Sequence, residues 1–280
     1  RDQGGAFLSF EQIGGPAVSV MQREFSHLFW SVLTVSLAAA ALCLAVFGLY
    51  GQNSAALSEL LKSALSGRAL ALLGMEYRVS GAENLLLACY PVLLLSGGVF
   101  FLFLAGHASG RELSAGTAGF LFMAASSRAA IAFAKWAAVF AGVCVYLVLS
   151  FGSALAGAAV FCGTLPDLLL FAQLLGGAFL CLLLMSCCGF FFGSAFQNAA
   201  LRHLFCALTL VCLAACVILP ACVPALSPVG YASLYRYYSA DSIAYGGLPF
   251  FAGVAVVLLS AVFCNLSLIC YTERNIKPKG

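Results

Sequence analysis

Charge is what this sequence has least of. Only 8% of its 280 residues are Asp, Glu, Lys or Arg, against about a quarter in an ordinary soluble domain. That scarcity excludes a solvated globular surface. A net charge of +3 leaves no basic face for nucleic acid. The motifs of self-contained catalysis are missing too. No lysine follows a glycine, so there is no phosphate-cradling P-loop, and any ATP has to be bound by another chain. No H-E-x-x-H pattern occurs, and His27, His107 and His203 have no nucleophile motif beside them. The chain is expected not to be an enzyme and to hold no cofactor or metal of its own.

What is present is hydrocarbon-like. Hydrophobic residues make up 63% of the chain, the mean hydropathy is +1.06, and apolar runs of about 20 residues recur. This predicts an all-α, polytopic helical membrane protein with transmembrane spans at 29–50, 85–107, 131–161, 168–196, 204–223 and 249–271. No Asp, Glu, Arg or Lys falls near the middle of a predicted span, which argues against an ion-coupled carrier. Gln173 and Asn265 are the strongest polar side chains within the spans and the candidates for a substrate path; an interhelical hydrogen bond is the plainer role for each. Nearly all of the 13 cysteines sit inside apolar runs, where they read as small, polarizable packing residues. Cys212 and Cys216 are four apart, but no His or carboxylate neighbours them, so no metal site is expected.

Taken in order, residues 1–28 form a polar tail and an interfacial helix. The helix is read from Pro16 at its start and from the stripe Val18, Met21, Phe25 and Leu28, with Trp30 at headgroup level. A plain extension of the first span is the alternative. The first apolar run follows Arg23 and Glu24, which is not the shape of a cleavable targeting segment. Residues 51–84 and 224–248 are the outer loops. The first holds an amphipathic stripe, Leu57, Leu60, Leu61, Ala64 and Leu65; the second is rich in tyrosine, read chiefly as interfacial anchoring. Gly176, Gly177, Gly189 and Gly193 in the fourth span predict close helix approach. With both termini inside, nine of the thirteen cations face the cytoplasm and four face out, the bias expected of that orientation in a cell membrane.

Between spans two and three lies the stretch Gly106–Trp136, with Arg111, Glu112, Arg128 and Lys135. A charged insert of this length cannot sit in hydrocarbon, so its centre, 108–130, belongs at a membrane face. Its spacing, Glu112, Gly116, Thr117, Leu121, Ser127, Arg128, Ile131 and Lys135, resembles the signature region of ABC-transporter permease subunits of the type-2 export class. Ala125 stands where that pattern has proline. Ser227-Pro228 and Tyr237-Tyr238-Ser239, ahead of Ile243 and Gly246, resemble the outer loop of the same family.

The resemblance implies a dimer of permease subunits with two cytoplasmic ATPase subunits, ATP and Mg being bound by those partners. It also implies that the insert is a coupling helix seated in the ATPase. Arg111, Glu112, Gly116, Thr117, Arg128 and Lys135 would then be the contact residues, with Lys135 equally suited to cytoplasmic anchoring beside membrane lipid. A cargo-free scaffold using the same ATPase contact and an ion-coupled secondary transporter are the rival functions.

Overall fold

The structure, a computed structural model, describes residues 16–51, 81–115, 128–223 and 233–273, with single positions between them. The Leu57–Leu65 stripe, Gly116 and Thr117 lie outside the described residues. The chain order is α1 (Pro16–Tyr50), α2 (Ala82–Ala115), α3 (Arg128–Gly157), α4 (Leu168–Ala195) and α5 (Ala199–Cys222). Two short helices, α6 (Leu234–Tyr237) and α7 (Ala240–Gly246), precede α8 (Phe250–Thr272). The six long helices are each long and apolar enough to cross a membrane, so the chain is a multi-pass helical membrane protein. Among the described residues there is no strand.

Local chemistry sets the boundaries. The last turn of α3 widens into a π-helical segment, Ala158–Cys162, and Gly163 ends it at φ +68°, a backbone angle that favours glycine. Asp167 caps α4 by accepting from Leu169 N at 3.1 Å, and Asn198 caps α5 by accepting from Ala200 N at 2.9 Å. The turn between α4 and α5 is therefore short, and the two helices run antiparallel. Glu24, Glu112, Lys135 and Thr272 gather at one end of the bundle, here the charged end; α6 and α7 close the other, the tyrosine end.

Burial ranks the helices. In α2, 72% of the apolar window is buried, against 6% in α5, so α2 is the central post and α5 stands at the rim. The α2–α4 seam is close because its glycines allow it. A Cβ on Gly189 would run into the carbonyl of Leu102, and one on Gly193 into Ser109 and the carbonyl of Gly106. Across that seam Ser109 Oγ, which donates to Ala105 O at 2.9 Å, also lies 3.1 Å from Phe190 O.

Three features differ from the sequence reading. Residues 16–50 form one continuous helix, and its buried face is Glu24, Leu28, Val32, Ser36, Ala39, Cys43 and Phe47, packed chiefly on α3. The stripe, at steps of three and four, starts at Glu24 within the proposed interfacial segment, and the helix runs through that segment without a break. The fifth helix begins at Ala199 rather than 204, which places Arg202 in its first turn. The loop 224–248 is more than an anchor. Tyr238, Ala240 and Ile243 are fully buried against the bundle, while Tyr245 is exposed as an interfacial tyrosine would be.

Candidate functional site

Five charged side chains from three helices meet at the charged end. Glu24 Oε1 accepts from Arg111 Nη2 at 3.1 Å and from Arg23 Nη2 at 3.3 Å, and lies 3.5 Å from Lys135 Nζ. Glu112 Oε2 accepts from Lys135 Nζ at 2.5 Å; its Oε1 is 3.3 Å from Arg111 Nη2 and 3.8 Å from Arg23 Nη2. Lys135 also donates to the carbonyl of Ala108 at 2.8 Å. Each carboxylate thus faces all three cations. Lys135 and Glu24 are fully buried, whereas Arg23 and Arg111 keep partly exposed heads at the rim.

Helix geometry puts these residues where they are. Lys135 follows Ile131 and precedes Val139 on the buried face of α3, and Glu112 lies in the last turn of α2, four residues beyond Ala108. Tyr271, near the end of α8, is buried beside Ile131, Ala132 and Ala134, close enough to feel the charges of Glu112 and Glu24. Arg128 donates to the carbonyl of Thr272 at 3.1 Å, a cation at the C-terminus of α8. Ion pair and cap together tie α1, α2, α3 and α8 at the two roots of the 116–127 stretch.

Depth follows from helix rise. Glu24 is about 39 Å from Tyr50 along α1, and Glu112 about 45 Å from Ala82 along α2, at about 1.5 Å per residue. Both exceed the hydrocarbon thickness of about 30 Å, so the cluster sits at or just beyond the interface. Trp30, exposed and about 30 Å from Tyr50 by the same rise, marks that boundary on α1. The middles of the spans hold no Asp, Glu, Lys or Arg, yet four such residues, Glu24, Glu112, Lys135 and Arg202, are buried in protein at the span ends.

A cluster of this kind is a mechanical joint. Separating two such charges after burial leaves one uncompensated, which costs about 3–5 kcal/mol, so the three helices move as one body at this point. Of the six residues expected to contact a partner, the structure brings Arg111, Glu112 and Lys135 together in the joint and sets Arg128 on the end of α8. Gln173 and Asn265 are far apart in role. Asn265 Nδ2 donates to Ala261 O of its own helix at 2.8 Å on an exposed face, and Gln173 lies beside Gly247 at the tyrosine end.

Two members escaped the sequence reading. Glu24 was placed on an interfacial helix; the available signal was its four-residue spacing to Leu28 and Val32 and the rarity of any charge in the chain. Arg202 was assigned to a turn. It is only 2% exposed, its Nε and Nη1 have no hydrogen-bond partner among the described residues, and its side chain lies along Gly106 and Gly110 of α2. Any side chain at Gly110 would collide with that guanidinium. Among the described residues no group of His, Cys, Asp or Glu could hold a metal ion. No family model matches the sequence, and no curated protein or solved structure matches it.

Proposed function

We propose that this chain is the membrane-spanning permease subunit of an ATP-driven exporter of the type-2 ABC class. It works as one of a pair, with cytoplasmic ATPase subunits docked on the 108–130 stretch and both termini in the cytoplasm of a cell membrane. The observation that carries this reading is the position of the buried joint. It clamps α1, α2 and α3 at the two roots of 116–127, so a push on that stretch is delivered to three spans at once. Residues 16–28 serve as the cytoplasmic approach to the first span, and 108–130 as the coupling segment. The cation count of nine against four supports the orientation. ATP and Mg belong to the partner.

The spacing of Glu112, Gly116, Thr117, Arg128 and Lys135 supports the same family. Within this reading the roles divide. Arg111, with part of its head exposed, together with Gly116 and Thr117, contacts the ATPase, while Glu112 and Lys135 transmit the load. The test is co-purification with the ATPase subunit encoded by a neighbouring reading frame. Wild-type chain retains the ATPase, and Arg111→Ala releases most of it from protein that remains folded. Full recovery with Arg111→Ala removes that residue from the contact; no recovery with wild type removes the reading.

One observation favours a second reading, a proton-coupled carrier: Glu24 and Glu112 are buried carboxylates, the residue type such carriers use. Against it, each already faces three cations and lies at a span end. In vesicles holding the chain alone, proton flux that depends on Glu24 would favour the carrier.

A further inference from the structure

Among the described residues two cations are buried, Lys135 and Arg202. Lys135 has Glu24 and Glu112 beside it, whereas Arg202 takes part in no ion pair among the described residues. Its side chain runs along a trough in α2: Cδ is 3.6 Å from where a Cβ on Gly106 would stand, and Nη1 lies against Gly110. Nε and Nη1 carry three N–H groups between them and have no acceptor among the described residues. We propose that the α2–α5 seam at the charged end binds one phosphate group, held by Arg202 with His107 and His203 beside it.

Charge selects an anion. A buried guanidinium without hydrogen bonds is costly, and one without a counter-charge is costlier still. Water would answer the first need and not the second. The joint has no negative charge to lend, because its two carboxylates already face three cations. The seam itself adds positive potential. His107 is close enough to feel Arg202, Arg111 and His203. His203 is exposed, with its ring stacked on Phe103 of α2 at a centroid distance of 5.8 Å. Asn198 takes the N–H of Ala200, and helix geometry leaves those of Ala199 and Leu201 without an intrahelical partner. A helical side chain leans toward the N-terminus of its own helix, so the head of Arg202 lies beside these groups.

Depth selects phosphate. Arg202 is about 30 Å from Cys222 along α5, and Gly110, where the guanidinium ends, is about 42 Å from Ala82 along α2, at about 1.5 Å per residue. The head therefore lies past the hydrocarbon, about 30 Å thick, and in the headgroup layer. Phosphate is the abundant anion there, and basic pockets between helices at that level take lipid headgroups. A lipid phosphodiester and a free phosphate share this chemistry, and guanidinium and imidazole donors suit both. Entry is from the α5 side. His107 and His203 are exposed there, and α5, with 6% of its apolar window buried, is the helix that yields most easily. The long side chain of Arg202 then turns outward past them to meet the anion. This site does not depend on whether the chain works with an ATPase.

The test uses the full chain in maltoside micelles and phosphate-free buffer at fixed ionic strength. Thermal midpoints are read while dioleoyl phosphatidylglycerol, dioleoylglycerol or inorganic phosphate is added. Phosphatidylglycerol is expected to raise the wild-type midpoint by several degrees; dioleoylglycerol, with the same acyl chains and no phosphate, is not. Arg202→Met abolishes that rise or shifts its half-saturating concentration by about tenfold or more, the loss expected for charge-assisted hydrogen bonds. His203→Ala shifts it by a smaller factor. Inorganic phosphate that reproduces the Arg202-dependent rise assigns the site to a soluble phosphate; a rise with the lipid alone assigns it to a headgroup. An equal rise in wild type and Arg202→Met would mean a general anionic surface and overturns the proposal. So does the absence of any rise with either phosphate source. Arg202→Gln repeats the comparison if Arg202→Met does not purify as a single species.

Discussion

Replacing Lys135 by Met removes the one fully buried cation of the joint while keeping an unbranched side chain of similar length. Glu112 then loses its partner at 2.5 Å, Glu24 loses one at 3.5 Å, and the carbonyl of Ala108 loses a donor at 2.8 Å. The remaining cations, Arg23 and Arg111, have side chains 48% and 30% exposed, so water screens what they return. Breaking a buried pair from one side costs about 3–5 kcal/mol, and Lys135→Met belongs in that range. Glu112→Gln breaks the same pair from the other side, at a similar cost. The double variant leaves Arg23, Arg111 and Glu24, restores the original net charge of the cluster, and is expected to cost less than either single change. The coupling between the two is then at least about 3 kcal/mol, at or above the upper end for residues in contact. Equilibrium unfolding in mixed micelles, followed by tryptophan emission, measures it directly. The two tryptophans of the chain are Trp30 and Trp136, and Trp136 adjoins Lys135. Additive single costs, or a Lys135→Met cost below about 0.5 kcal/mol, would refute a load-carrying joint.

Other predictions concern single features of the bundle. Gly193→Leu forces a side chain into Ser109 and the backbone of Gly106, so it is expected to cost at least the 1–3 kcal/mol usual for overpacking, or to prevent folding, as read by thermal stability in detergent. Arg202→Met removes a buried guanidinium whose Nε and Nη1 lack partners, and the variant is expected to be more stable than the parent; a loss of stability would mean that Arg202 has a partner outside the described residues. Burial, then the nearby Cys181 thiol, pushes the Tyr238 hydroxyl up to about 12. Its neutral form is favoured by the fold, so stability holds below about pH 10, the unfolded value, and is lost as pH rises from there towards 12. Tyr238→Phe is expected to remove that loss, because the hydroxyl has no hydrogen-bond partner among the described residues.

The architecture was legible because hydrocarbon imposes one strong rule on sequence. Every spanning helix must be a long apolar run, and all six expected spans meet the observed helices within a few residues at the tyrosine end, while at the charged end α1, α2 and α5 extend well beyond the expected bounds. Glycines 189 and 193 announced a close helix contact, and the structure shows that the partner is α2. The joint was hidden for a physical reason. Arg23, Glu24, Arg111 and Glu112 occur as adjacent charged pairs, a pattern that reads equally well as solvated helix ends, and only three-dimensional packing reveals that Glu24 and Lys135 turn inward. Arg202 was misplaced because Gln197–His203 looks like a polar turn, whereas Asn198 supplies the cap that starts α5 early. Tyrosine patterns carry the same ambiguity: Tyr238 and Tyr245 are seven residues apart, yet one is core and the other faces out.

The central claim, that an ATPase does work on this bundle through the clamped roots of 116–127, is tested most directly by ATP turnover. The ATPase subunit is measured in lipid nanodiscs with wild-type chain, with a folded Lys135→Met/Glu112→Gln chain, and with empty discs. The account predicts that wild-type chain changes the turnover several-fold relative to empty discs and that the double variant, still bound, loses most of that change. Equal turnover in all three would contradict it.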